Sequence, residues 1–228
     1  MTTLAAMRTR IADDITRTDL SSQITNAIND AIKLWEGERF AFNEKRYLIN
    51  TVDGQEYYDL SGSGLLTSEG AATPAGEMVL EIDSITNTVN DYPYPLSERT
   101  QAWFDRYASL PTQYKGQPDS YGIYGNQLRL FPIPDSSGPG VGGVFPIRIS
   151  CLARLGPTPL AADGDTNAWL TEGELLIRSH AKIILGRFPL RDQELIALAQ
   201  NEADNAYTSL KRKMAAKAFT GRIAPWSL

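Results

Sequence analysis

SSQITNAINDAIKLWEGERFAFNEKRYLINTVDGQEYYDL, residues 21–60, changes its hydrophobic period halfway along. In the first half Ile24, Ala27, Ile28, Ala31, Ile32 and Trp35 recur three or four apart, the apolar face of an α-helix. Ser21 or Ser22 can cap its start, and Gly37 lies near its end. In the second half apolar and polar residues alternate through RYLINTV (46–52) and QEYYDL (55–60), on either side of Asp53-Gly54. Alternation sends successive side chains to opposite faces of a strand, and Asp-Gly suits the positive φ angles of a type I′ turn. The pattern therefore predicts a β-hairpin. A helix that hands over to antiparallel strands points to an α+β chain.

Upstream, Leu4, Met7, Ile11 and Ile15 predict another helix over 3–17, capped by Thr3. Downstream, residues 61–77 are rich in Ser, Gly, Ala, Thr and Pro and read as an exposed loop. MVLEIDSITN (78–87) alternates as a strand that Asn90-Asp91 can turn back, and Ser97 is positioned to cap a short helix to about Ala108 that buries Trp103, Phe104 and Tyr107. A further hairpin is expected over 118–134 with Gly125-Asn126 as its turn, then a flexible tip at 135–143 and a strand at 145–155. The last third is helical. Thr171-Glu172-Gly173-Glu174 reads as a capping box, Pro189 ends that helix, and a long one follows from about Asp192 to Ala218. Its stripe is Ile196, Ala199, Ala203, Tyr207, Leu210 and Met214, and its length is about 40 Å. The expected architecture is α+β: a bundle of N- and C-terminal helices with an inserted antiparallel β layer or barrel of hairpins. Residues 1–45 with 163–228 form the helical domain, and 46–162 the β-rich domain with one embedded helix.

The chain has 228 residues, 42% hydrophobic and 21% charged, enough for one domain or two small ones with a core that needs no staples. A lone cysteine, Cys151, excludes an intrachain disulfide framework. Charge interrupts every apolar stretch before it reaches membrane-spanning length. The opening MTTLAAMRTRIADD has no apolar h-region, and its arginines and aspartates argue against a signal peptide, so a soluble globular protein made in the cytoplasm is expected. Net charge is −5 and unevenly spread: residues 51–110 carry ten acids and two bases, while no acid follows Asp204 and Lys211, Arg212, Lys213, Lys217 and Arg222 do. Such a balance makes a poor non-specific nucleic-acid binder, because that binding is carried by cationic contacts to phosphates.

Catalytic chemistry is sparse. His180, the one histidine, sits in a predicted helix with no nucleophile at a readable spacing, and Cys151 alternates with Ile149 in a strand, as a structural cysteine does. Asp163, Asp165, Asn167 and Glu174 hold positions 1, 3, 5 and 12 of a calcium loop, but Ala168 stands where the sharp turn needs glycine. An Asp/Asn turn before a helix is the reading favoured. GPGVGG lacks the lysine and following helix of a phosphate cradle, and Asp13-Asp14 read as a solvated face. Tyr121, Tyr124 and Phe131 read as cross-strand packing, with Arg129 the nearby cation. No catalytic residue, metal site or cofactor is expected.

The helix SQITNAINDAIKLW, its exit RFAFNE (Arg39, Phe40, Phe42, Asn43, Glu44), the DGQEYY segment, the strand pair YGNQLRLFPIP and the helix NAWLTEGELLIRSHA occur in an order that resembles the head-to-tail adaptor (connector) proteins of tailed bacteriophages, the tail tubular protein A-like group. The likeness spans about residues 20–190. It implies a non-enzymatic virion structural protein at the head-tail junction, forming a ring, usually twelve-fold. On one side lies the portal protein and on the other a tail nozzle or tail tube protein, with packaged double-stranded DNA passing through the lumen unbound. On that reading Lys211, Arg212, Lys213, Lys217, Phe219, Arg222, Ile223 and Trp226 are candidates for docking on the portal, aromatics anchoring and charges steering. Asp53, Glu56, Asp59, Glu69 and Glu77 are candidates for a channel wall that repels phosphates. Two other readings are a carboxylate-based hydrolase of a phage tail and a small DNA-binding module using the basic C-terminal tail.

Overall fold

A computed structural model describes residues 2–89, 92–107, 114–140 and 142–219. In chain order it contains α1 (Leu4–Asp14), α2 (Ser21–Trp35), β1 (Glu44–Asn50), β2 (Tyr57–Asp59), β3 (Leu66–Thr67), β4 (Met78–Val89), β5 (Tyr92–Pro95) and β6 (Ser97–Glu98). These are followed by α3 (Gln101–Tyr107), β7 (Ser120–Tyr124), β8 (Gln127–Phe131), β9 (Pro146–Arg154), α4 (Ala168–Thr171), α5 (Glu174–Leu185) and α6 (Gln193–Phe219). The fold is α+β. The chain divides into two compact units, a helical one of residues 1–43 with 157–228 and a β-rich one of 44–156.

In the helical unit α5 is the central element, packed against α1, α2, α4 and α6. Leu176, Ile177, Ala181, Ile183 and Leu185 are buried, and Ser179 is buried with its hydroxyl donating to the Leu175 carbonyl one turn back. The N-cap of α1 forms as its sequence predicts, with Thr3 Oγ1 accepting from Ala6 N. Two other expected caps do not form. The turn before α2 places Leu20, not Ser21 or Ser22, at the cap, with no side-chain bond. Thr171 lies inside the short helix α4, where its hydroxyl donates to the Asn167 and Ala168 carbonyls, so it cannot cap α5. Asn167 caps α4 instead, through Leu170 N. After α5 the chain breaks at Pro189 as expected, and Arg191 takes a left-handed φ of 53° before α6 begins. Asp192 Oδ1 then accepts from Glu194 N and Leu195 N, satisfying free donors at the start of α6.

The β-rich unit holds a five-stranded sheet, β3-β1-β9-β4-β5, and a four-stranded sheet, β2-β8-β7-β6. Pairing is antiparallel except between β6 and β7, which run parallel. Tyr47, Ile49, Ile147, Ile149 and Cys151 from the first sheet and Tyr58, Tyr121, Leu128 and Leu130 from the second belong to one buried cluster. Among the described residues neither sheet closes into a barrel.

The hairpin expected across Asp53-Gly54 is absent: β1 pairs with β3 and β9, and β2 pairs with β8 in the other sheet. A turn does form, with Gln55 N donating to Val52 O at 3.0 Å, but only Gly54 has positive φ, at 76°. A type I′ turn needs positive φ at both central residues. With positive φ at the third position alone, the turn splays its strands instead of aligning them. The Tyr58 hydroxyl fixes this corner, accepting from Val52 N and donating to the Gln55 carbonyl.

Around Gly125-Asn126 the opposite happens. Tyr124 pairs with Gln127, Gly125 alone has positive φ, and β7 and β8 form the expected two-residue hairpin. β4 and β5 also pair as expected, their turn at Asn90-Asp91 lying outside the described residues.

Three further expectations change. Residues 61–77 contain β3, which pairs with β1, and Leu65, which is fully buried. Ser97 does not cap a helix: it lies in β6, with its amide on Asp119 O, and α3 starts at Gln101. Of the three aromatics of α3 only Phe104 is buried, since Tyr107 is exposed. Within the stretch expected to be a flexible tip, Gly138 N donates to Gly143 O and Gly140 N to Val144 O.

Candidate functional site

α6 runs for 27 residues and stays packed to Met214: Ala199, Ala203, Leu210 and Met214 are all buried. Among the docking candidates, Lys211 is part of that packing. Its Nζ donates to Glu38 Oε2 at 2.9 Å and to the Arg39 carbonyl at 3.1 Å, and lies 4.7 Å from the centre of the Phe40 ring. A lysine held by a carboxylate, a carbonyl and an aromatic face ties α6 to the segment after α2, so it is a fastening within the unit and not a projecting contact. Arg212 and Lys213 are exposed. Lys217 and Phe219 fall within the helical backbone of α6, their side chains outside the described residues, and Arg222, Ile223 and Trp226 lie wholly outside them.

Beside this end of α6 a groove runs between α5 and α6. Two adjoining cavities, about 440 and 200 Å³, share Leu175, Ala206 and Ser209 as lining. Small residues on α6 leave the space, Leu175 is exposed within it, and Lys213 stands at one end. The other end is an ion network that sequence reading missed. Asp14, expected on a solvated face, pairs with Arg178, and its Oδ2 lies 3.3 Å from Lys182 Nζ. Lys182 is buried and also donates to Glu202. Arg178 and Lys182 are four apart on α5, a spacing legible in the sequence, but Asp14 is 164 residues from Arg178.

Burial raises the Asp14 carboxyl pKa, but the hydrogen bonds and charges of Arg178 and Lys182 outweigh it and hold the group below its ordinary value. A depressed carboxyl stabilises the fold above its unfolded value, near 4, and loses that contribution as pH falls through its folded value. Asp14→Asn is therefore expected to cost about 1 kcal/mol at pH 7 and progressively less as pH falls below about 4, as read by chemical denaturation of both proteins across that range.

The five candidate lumen carboxylates occupy different settings. Asp53 is exposed and pairs with Lys115 at 3.1 Å, and Asp59 is exposed and accepts from Gln127. Glu69 is exposed and accepts from Ser68. Glu56 is half-buried and bound to Arg129. Glu77 is 6% exposed, accepts from the Tyr47 hydroxyl and lies 3.4 Å from Gly156 N, so it presents no charge to any surface. Burial and the Glu77 hydrogen bond together push the Tyr47 hydroxyl far above the ordinary tyrosine range.

The remaining candidates have structural settings. His180 meets Trp35 edge-on at 5.1 Å, and burial lowers its pKa. Cys151 is buried, its Sγ 3.7 Å from the Lys45 carbonyl. Of the calcium-loop pattern, Asp163 pairs with Arg8, Asp165 accepts from Ala161 N and Ala162 N, and Glu174 holds Arg10 and Thr2. With Asn167 as a cap, each of the four is engaged with partners of its own. Among the described residues no group of three or more His, Cys, Asp or Glu is placed to hold a metal ion, and no helix is long and apolar enough to cross a membrane. Tyr121 is buried, Tyr124 is exposed, and Phe131 packs with Trp103, Tyr107 and Tyr114.

Compared with known proteins, residues 2–225 match the family model described as SU10 adaptor protein. No curated protein matches the chain.

Proposed function

Because the chain belongs to the SU10 adaptor protein family, and so is a phage adaptor with a structural place in the virion, we propose that copies of it assemble into a ring, a dodecamer, joining the portal to the tail nozzle or tail tube at the head-tail junction. The observation that carries the docking part of this reading is the end of α6. Arg212 and Lys213 are exposed just before buried Met214, Lys213 at the end of the groove, and the helix continues past Met214 with no acid in the sequence. Cations on a rigid helix steer a partner, and the residues beyond, with Ile223 and Trp226, supply apolar anchors in sequence. Of the acidic candidates, Asp53, Asp59 and Glu69 are accessible for a lumen wall past which DNA slides. Buried Glu77 and arginine-bound Glu56 are withdrawn from that set.

Mass photometry of the chain mixed with purified portal tests the reading. The expected result is a complex of ring mass on the portal, weakened by salt as exposed charges are screened. Deleting 220–228 is expected to abolish the complex while circular dichroism stays unchanged, and Trp226→Ala to weaken it. Lys211→Ala is expected to lower stability and leave attachment intact. A folded deletion that joins the portal at full strength would remove the docking role from the tail.

A further inference from the structure

The five-stranded sheet carries a groove of about 500 Å³ on the face opposite its buried Ile49, Ile147 and Ile149. Its floor is set by register. Arg46 on β1 pairs with Ser150 on β9, and Leu48 pairs with Arg148, so the two arginines are diagonal neighbours roughly 7 Å apart at their β-carbons. On the other side of β9, Ser84 stands opposite Ser150 and Thr86 opposite Arg148. Both arginines are exposed, and no carboxylate lines the groove.

This placement is unusual for the unit. Residues 44–156 hold thirteen acids and eight bases, and other cations of the unit are matched: Arg129 with Glu56 and Asp105, Lys115 with Asp53. Arg46 and Arg148 make no ion pair among the described residues. Two like charges on diagonal sheet positions repel, and an incoming anion relieves that repulsion. A guanidinium offers a planar fork of donors that matches a carboxylate two bonds at a time, and the hydroxyls of Ser84, Thr86 and Ser150 add donors between the two forks.

We propose that this groove binds an extended segment of a partner protein that turns carboxylates and apolar side chains to the same face, the carboxylates two residues apart to meet Arg46 and Arg148 and the apolar groups flanking them. The apolar walls decide against a nucleic-acid strand: Leu48, Pro93 and Pro146 line the groove beside the arginines, and a phosphodiester backbone makes no use of them. Recognition is by side chains, because the neighbouring edge strand β5 carries Pro93 and Pro95, which have no N–H for strand addition. Nothing in this assignment depends on the portal or on ring formation.

The test is an NMR titration of the full ¹⁵N-labelled chain with a Glu-Leu decapeptide, Ser-Leu-Ser-Glu-Ser-Glu-Ser-Leu-Ser-Ser, whose Glu and Leu side chains share one face when extended. The expected result is a saturable shift of the Arg46 and Arg148 Nε–H signals, with the amides of Ser84 and Ser150 moving in parallel. Half-saturation is expected below about 1 mM. The double variant Arg46→Gln/Arg148→Gln, both positions exposed, should keep its melting temperature and bind about tenfold more weakly. A Lys-Leu decapeptide should shift neither arginine. The proposal is overturned by unchanged affinity in the double variant, by no shift with the Glu-Leu peptide up to about 1 mM, or by equal shifts with the Lys-Leu peptide. Larger shifts with a 20-base-pair DNA duplex at equal anion concentration would also overturn it and give the groove to phosphate.

Discussion

Trp169→Ala is expected to lower the stability of the helical unit by about 3–5 kcal/mol, the largest loss from any single truncation in it. The indole is 1% exposed and is the largest fully buried side chain of the described residues. It stands edge-on to both Phe40, at 5.6 Å between centroids, and Phe42, at 4.9 Å, while those two rings stack on each other at 5.3 Å. Each such pair adds about 0.5–1.5 kcal/mol beyond the area it buries. The cavity left by alanine would be walled by rings whose own positions are held: Lys211 lies over Phe40, and Phe40 N donates to Asn43 Oδ1. Collapse into the hole is therefore limited, and the cavity cost adds to the lost transfer energy. A thermal melt should show Tm falling by about 10–20 °C. Trp169→Phe, which keeps an edge for both partner rings, should lose less than half as much. Equal losses for both variants would mean that the aromatic geometry contributes nothing beyond volume.

In the β-rich unit the expected large effect is Glu56→Ala, at about 2–3 kcal/mol. The Arg129 side chain is 4% exposed, with Glu56 against Nε and Asp105 3.6 Å from Nη1. Its guanidinium also lies 4.9 Å from the centre of Phe104 and 5.2 Å from that of Tyr57. Removing Glu56 leaves a buried cation whose one remaining carboxylate, Asp105, is 65% exposed and screened by water. That residual partner places the cost below the full value for an orphaned buried charge. Urea unfolding at pH 7 is the measurement. Asp105→Ala should cost under about 1 kcal/mol, and the double change Arg129→Met/Glu56→Leu should recover most of the loss, because it removes both charges and keeps the volume. A double variant as unstable as Glu56→Ala would show that packing around the guanidinium, and not its unpaired charge, sets the cost.

Both sites show where sequence reading stops. The exit motif Arg39–Glu44 and Trp169 were each visible, and the first carried part of the family resemblance, but 127 residues separate Phe42 from Trp169. Arg129 was seen as a lone cation near aromatics. Its partner Glu56 was assigned to a channel wall, because only the β2–β8 pairing brings the two together. Lys211 was read as part of a basic tail. The contact that converts it to a fastening comes from residues 173 positions away.

What the sequence by itself determined is local or periodic: the helical faces of α1, α2, α5 and α6, the Gly125-Asn126 hairpin, the break at Pro189, the α+β class and the adaptor family. These follow from side-chain spacing, from φ preferences within four residues, and from the order of motifs along the chain. Only the tertiary structure decided which strands pair, which carboxylates are buried and which cations are matched. Val52–Gln55 shows the reason. Asp53-Gly54 makes a turn in any context, but whether the strands beyond it align depends on partners drawn from residues 127–131 and 146–154. β1 and β2 each pair more fully with β9 and β8 than a splayed turn would let them pair with each other. The arginine groove has the same origin, since Arg46 and Arg148 become neighbours only through the register of β1 on β9.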